Sequence, residues 1–265
     1  MYFNKREALR YFGAEAGDQR AGVAVDLAFL KLRNELQPRY TCLRLPCRVE
    51  TERVVVMTAA PEVQVAAAVQ TESASDGHED AAKTSDSDAY AGANMTVAQV
   101  LFNSQKLAVH LKGCREIYLF GATLGTKVDI ALRRLMLLSA AEGAAGQAVA
   151  AALIETYCDD CCREMEEKLP AECGFTSRFS PGYGDWKLEE QKTLFRLLNC
   201  AKLIGLTLTE GGMMAPIKSV TAVLGVREGQ KRTYAPALDQ EVQGCPVNKC
   251  SQCTKYDCEF RRCSL

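Results

Sequence analysis

The segment Arg178–Gln191, RFSPGYGDWKLEEQ, decides how this chain is read. Pro181, Gly182, Tyr183 and Gly184 fall in four consecutive positions and set a tight bend. Glycine reaches positive φ without steric cost, and proline fixes its own φ. Beside the bend, Arg178 offers a planar fork suited to a carboxylate. The amides around Ser180 and Gly182 offer donors to a ligand's polar edge, although Pro181 contributes none. Asp185 is placed to cap a helix beginning near Trp186, with Glu189 and Glu190 in its first turn, where the helix dipole favours carboxylates. The same residues also suit an ordinary loop, and composition alone does not choose.

Outward from the bend, residues 187–205, KLEEQKTLFRLLNCAKLIG, carry helical spacing. Residues 206–226, LTLTEGGMMAPIKSVTAVLGV, read as strand, loop and strand. Upstream, residues 127–169 form a long helical region that is expected to break or kink near Gly143 and Gly146, its small residues implying close packing. Residues 114–125, CREIYLFGATLG, read as a buried strand running into a glycine turn at Gly121 and Gly125. The stretch 96–111, TVAQVLFNSQKLAVHL, predicts a helix capped by Thr96. Near the N-terminus, NKREALRYFG (4–13) predicts a short helix between Asn4 as N-cap and Gly13 as stop. A second helix is expected over 23–36, and strands over 40–50 and 52–59. The expected class is α+β, with helices packed on a mostly antiparallel sheet. Residues 1–70 form its N-terminal helical and strand part, 71–95 a flexible acidic insertion, 96–240 the core with the ligand site, and 241–265 a cysteine-rich tail.

Bulk composition narrows the classes. Of the 265 residues, 48% are apolar and 25% charged, with a net charge of -1, so there is no basic field to recruit nucleic acid or an anionic membrane. No apolar run reaches the roughly 18–20 residues that span a bilayer, and charges interrupt the N-terminus where a signal peptide needs its apolar core. The expected location is cytoplasmic. Thirteen cysteines, an odd number without a secretion signal, argue for reduced thiols rather than a disulfide framework.

Conventional catalytic motifs are weak. GATLG is neither a dinucleotide fingerprint nor a phosphate-binding loop, and it reads as a strand-to-helix turn. Only two histidines are present. His78 sits in the acidic insertion and His110 near a helix end, where capping or packing suits it, so a Ser/His or Cys/His hydrolase finds no support. The tail carries Cys245, Cys250, Cys253, Cys258 and Cys263 in a short polar segment. Such crowding is a metal signal, zinc or iron–sulfur, with redox-active or free thiols as the alternative. The cysteines of CDDCC (158–162) lie in a helix and read as packing.

RFSPGYGDWKLEEQKTLFRLLN followed by IGLTLTEGGMMAPIKSVTAVLG resembles the activation domain of cobalamin-dependent methionine synthase, most of all its standalone relatives. Arg178, Pro181, Gly182, Tyr183, Leu208, Thr209, Glu210, Met214, Pro216, Ser219 and Val220 carry the pattern in order. YLFGATLG with Asp129, and NKREALRYFG, are similar more loosely. The resemblance implies S-adenosylmethionine binding beside cobalamin and a reductive methylation that rescues the cob(II) state. It implies that Arg178 anchors the ligand carboxylate, that the backbone of Ser180 and Gly182 holds the amino acid or adenosyl part, and that Tyr183 lies toward the corrin. Glu155 and Tyr234 are the matching acidic and aromatic residues. Met213 and Met214 either face the corrin as an adaptable contact or fill the core. No Asp-x-His-x-x-Gly cobalamin-ligand motif is present, so the corrin is expected on a partner, the cobalamin-binding methionine synthase subunit, with an electron-donor protein as a further partner. A second reading makes the chain a metal-cluster electron-transfer activator of a corrinoid protein, and a third a docking subunit alone.

Overall fold

In a computed structural model of the chain, residues 2–15, 17–59, 97–229 and 234 are described. Helices α1 (Lys5–Phe12) and α2 (Gln19–Leu32) precede strands β1 (Arg39–Val49) and β2 (Arg53–Ala59). Strand β3 (Val97–Asn103), helix α3 (Gln105–His110), strand β4 (Glu116–Thr123) and helices α4 (Thr126–Leu138) and α5 (Ala140–Glu167) follow. The rest comprises β5 (Cys173–Phe175), α6 (Gln191–Leu197), α7 (Cys200–Ile204), β6 (Thr207–Leu208), β7 (Met214–Ala215) and β8 (Ser219–Glu228).

Six strands form one sheet in the order β3-β2-β1-β4-β8-β5, every pairing antiparallel, while β6 and β7 make a separate ribbon. Helices cover both faces. Phe120, Ala122 and Leu224 pack with α1, α2, α4 and α5 on one side. Ile117, Leu119 and Val223 pack with α3, Trp186, α6 and α7 on the other. Alternation along β4 and β8 therefore sends apolar side chains into two cores, which explains why 114–125 reads as buried throughout.

Local signals placed α1 correctly. Asn4 accepts from the Glu7 N–H, and Gly13 ends the helix at φ 77°. Helix α2 starts earlier than expected, at Gln19, because Asp18 accepts from the Ala21 N–H. Its α-helical part stops at Leu32 and a 3-10 turn, Arg33–Glu35, completes it.

The helix expected over 96–111 is a strand followed by a short helix. Residues 97–103 pair with β2, Val55 opposite Leu101 and Val54 opposite Phe102. Phe102 is fully buried while Leu101 is 42% exposed, the two-residue alternation of a strand. The true cap is Ser104, which accepts from the Leu107 N–H, and Thr96 lies outside the described residues.

The break in 127–169 falls at Ser139, whose extended backbone separates α4 from α5 and whose hydroxyl accepts from the Glu142 N–H. Gly143 and Gly146 lie inside α5 and supply the expected close packing. A Cβ at Gly143 would stand 2.7 Å from Met136 Cγ, and one at Gly146 2.7 Å from Leu135 Cδ1. Gly121 lies within β4, while Gly125, at φ 88°, is the residue that turns the chain into α4. The helix expected over 187–205 is divided: a 3-10 turn at Leu188–Glu190 leads into α6, and Asn199 in the left-handed region separates α6 from α7.

Asp185 caps a helix, but not the one after it. Its carboxylate accepts from Gln105 N (2.8 Å), Lys106 N (3.1 Å) and the Ser104 hydroxyl, so it closes the N-terminus of α3 from 79–81 residues away. Those donors, Ser104 first, hold its carboxyl below the usual carboxylate range.

Two outcomes follow. Gly143→Ala should gain up to about 1 kcal/mol of helix propensity and lose about 1–3 kcal/mol to overpacking against Met136, a net loss read as a lower urea midpoint; a higher midpoint contradicts the packing account. Asp185→Ala should cost about 1 kcal/mol at pH 7, the usual worth of a cap. Because the folded-state pKa is depressed, that increment is complete above the ordinary Asp value and fades as pH falls through the folded value. Wild type and variant should therefore converge as pH falls through the folded-state value, and a difference in melting temperature that does not narrow on acidification would refute the assignment.

Candidate functional site

The site is built where the segment after β5 crosses α5. Phe179 makes an isolated antiparallel bridge to Val223 of β8, with hydrogen bonds of 3.0 and 2.8 Å, so residues 178–180 continue the sheet edge. Consecutive residues in extended backbone point to opposite sides. Phe179 packs with the α3 layer, and Arg178 reaches α5.

Arg178 is the most constrained charge among the described residues' ion pairs, its side chain 12% exposed. Nη2 donates to Glu155 Oε2 at 2.8 Å, Nη1 to Asp159 Oδ1 at 2.6 Å, and Nη1 also approaches Cys162 Sγ at 3.7 Å. Glu155, Asp159 and Cys162 lie four and three residues apart on α5, the spacing that aligns side chains on one helix face. The Tyr234 ring lies 5.7 Å from the guanidinium carbon, within cation–π range. Burial works to lower the guanidinium pKa. The Cys158 thiol, the Asp159 carboxylate and the Cys162 thiol act the other way and prevail, leaving it well above the ordinary value.

Tyr234 is held in place by its own backbone. Its N–H donates to Glu166 Oε2 at 3.1 Å, and Glu166 Oε1 accepts from Phe175 N at 2.7 Å. This buried carboxylate thus fixes both β5 and residue 234 against α5. Burial raises the Tyr234 hydroxyl pKa, with Cys162 adding to the effect.

The bend itself is rigid and largely open to solvent. Gly182, at φ 92°, donates its N–H to Trp186 O at 2.8 Å, and Tyr183 N donates to Ser180 O at 3.1 Å. The Gly182 and Tyr183 amides are therefore spent inside the turn, while the Ser180 N–H has no acceptor among the described residues. Gly184, at φ 60°, lies in the left-handed region that glycine favours, and a Cβ there would stand 2.7 Å from Lys106 Cδ, so the lysine chain would have to move. Beneath the bend, Trp186 is 1% exposed and packs edge-on to Phe102. Tyr183 is 57% exposed, its ring against Phe179, and its hydroxyl pKa is raised by burial, then by Glu155, with Arg178 opposing. On the Phe179 side an open groove of about 520 Å³ is lined by Gln105, Lys106, Val109, His110 and Phe179. His110 Nε2 donates to Ser177 O at 2.8 Å and its ring packs on Phe179, the packing role expected of it.

The structure thus brings together Arg178, Glu155 and Tyr234, with Tyr183 at the rim. It adds Asp159, to which the sequence reading assigned no role, and Cys162, expected only as packing; their spacing from Glu155 on one helix was the available signal. Met213 and Met214 divide. Met213 is 64% exposed at the ribbon tip, and Met214 is half-buried against the α3 layer.

Cys158, Cys161 and Cys162 are buried in the core, and burial raises all three thiols, Cys162 to about 11. At neutral pH they are protonated packing residues. Among the described residues no group of three or more metal-ligating side chains occurs, and Cys245, Cys250, Cys253, Cys258, Cys263, His78 and the acidic insertion lie outside them. No helix among them is long and apolar enough to cross a membrane.

Residues 157–235 match the family described as vitamin B12 dependent methionine synthase, activation domain. That span contains Arg178, the bend, the β6–β7 ribbon, β8 and Tyr234. A crystal structure of the MetH reactivation domain bound to AdoHcy shares the fold, with a TM-score of 0.51 and 18% identity over 84% of this chain and 70% of that one. No curated protein matches the sequence. Residues 157–235 thus carry the pattern of that activation-domain family, and the α+β fold around them is the fold of that reactivation domain.

Proposed function

We propose that this chain binds S-adenosylmethionine where residues 178–186 meet α5 and supports the reductive reactivation of a cobalamin-dependent methionine synthase. The observation that carries the reading is a buried guanidinium, two carboxylates and two tyrosines gathered at an exposed rigid bend. S-Adenosylmethionine carries a carboxylate, an ammonium, a sulfonium and a planar base. Arg178 suits the first, Glu155 the second, and the exposed face of Tyr183 the cation or the base. The Ser180 N–H is left to hydrogen-bond the amino acid or adenosyl part, with Gly182 shaping the turn rather than donating.

Both terminal nitrogens of Arg178 are engaged by α5 in the free protein. A ligand carboxylate must therefore share or replace one of these contacts.

Cobalamin is assigned to a partner, the cobalamin-binding part of methionine synthase; once reduced by one electron from an external donor, its cobalt would supply the nucleophile, the S–CH3 bond would break, and S-adenosylhomocysteine would leave as the neutral thioether. This chain's part is to hold the sulfonium in line with that partner, a proximity effect that needs no general base. Tyr183 and Met213, each more than half exposed, are the residues assigned to the corrin-facing surface, with Met214 anchoring the ribbon behind Met213. The source of the electron, and any zinc or iron–sulfur centre in the cysteine-rich tail, belong to residues or partners beyond the described structure.

Calorimetry on the full chain tests the ligand assignment. S-Adenosylmethionine should bind, Arg178→Lys should weaken it at least tenfold because the fork is lost, and Tyr183→Phe should leave it within about threefold, the ring face being retained. Fluorescence of Trp186, the one tryptophan in the chain, gives an independent readout beneath the bend. Unchanged affinity in Arg178→Lys with an intact fold would remove Arg178 from the site.

A further inference from the structure

Charge around Arg178 does not balance. One guanidinium faces two carboxylates, Glu155 and Asp159, and these are its only ion-pair partners among the described residues. One net negative charge is left over. Moreover, the charges are layered. The guanidinium is 12% exposed, whereas Glu155 is 41% and Asp159 58% exposed. The two carboxylates are the solvent-facing members of the trio, and the cation is the enclosed one.

Such a face attracts a cationic group and repels an anionic one. The free energies involved are modest at this exposure, but they act on every ligand and differ between ligands of different charge. S-Adenosylmethionine has one net positive charge, because its sulfonium adds to a zwitterionic amino acid. The thioether left after methyl transfer, S-adenosylhomocysteine, has the same carboxylate, ammonium and base but no net charge. Shape hardly separates the two, whereas charge does.

We propose that Asp159 is a specificity-determining residue, whose carboxylate supplies the excess negative charge that favours the sulfonium ligand over its neutral thioether product. The inference rests on the S-adenosylmethionine reading given above and adds a residue to it. Glu155, on the same helix face one turn earlier, keeps Arg178 paired and receives the ammonium, which both ligands share. Asp159, the more exposed of the two, is assigned to the difference between them. Its consequence is turnover: once the methyl has left, the attraction drops and the product is released in favour of a fresh sulfonium.

The test is a ratio of affinities measured on the full chain by calorimetry with S-adenosylmethionine and S-adenosylhomocysteine. In wild type the sulfonium should bind more tightly, and the preference should shrink as salt rises from about 20 to 500 mM, since exposed charges are screened. Asp159→Asn, which keeps the side-chain shape, should reduce the preference about two- to fivefold, the usual worth of an exposed charge pair, and Asp159→Glu should retain most of it. Any effect of freeing Arg178 falls on both ligands alike and cancels in the ratio. If wild type binds both nucleosides and the ratio is unmoved in Asp159→Asn, this inference is wrong while the ligand assignment stands. If wild type binds neither, the ligand assignment fails and carries this inference with it.

Discussion

A guanidinium removed from water needs anions at hydrogen-bonding distance, and Arg178 finds them on a single helix. The contacts to Glu155 and Asp159 lock the segment after β5 onto α5. Both carboxylates keep much of their hydration, so the arrangement is worth less than the about 3–5 kcal/mol lost when one partner of a fully buried pair is removed. Its value lies in position. The bend at residues 181–184 starts three residues after this anchor, and its direction follows from where Arg178 is held.

The sheet supplies the rest of the rigidity. Strand β8 lies between β4 and β5 and also bridges Phe179, so one strand orders the sheet's interior, its edge and the approach to the bend. From the α5 side, the buried Glu166 carboxylate ties down the amides of Phe175 and Tyr234. From the opposite side, Asp185 reaches across to the N-terminus of α3. Each element at the site is therefore held by groups distant in sequence.

What the sequence made legible was local. Asn4 and Gly13 mark the ends of α1 because capping involves residues three or four apart, and residues 116–123 read as a buried strand because Ile117–Phe120 form an unbroken apolar run before a glycine. Residues 97–103 misled because Val97, Val100 and Leu101 fall at i, i+3 and i+4, the spacing of a helix face. Their strand state comes from pairing with β2, a partner that spacing cannot reveal. Asp185 misled for the same reason: a capping residue was matched to the nearest helix, while the amides it serves come from a helix about 80 residues upstream. Within the site, Arg178 and the bend stood out through residue type and family resemblance. Asp159 did not, since an aspartate in a mid-helix acidic pair looks solvated until a cation from another element lands on it.

The account depends on this chain presenting a methyl donor to a cobalt atom borne by another polypeptide. The most direct measurement is a reactivation assay: the cobalamin-binding methionine synthase partner in its cob(II) state, a low-potential reductant and S-adenosylmethionine, followed by recovery of methionine synthesis and by the cobalamin absorption spectrum. The account predicts recovery only when the full chain is added, with recovery lost when S-adenosylmethionine is omitted. Recovery at the same rate without the chain, or with the chain but without the sulfonium ligand, would contradict it.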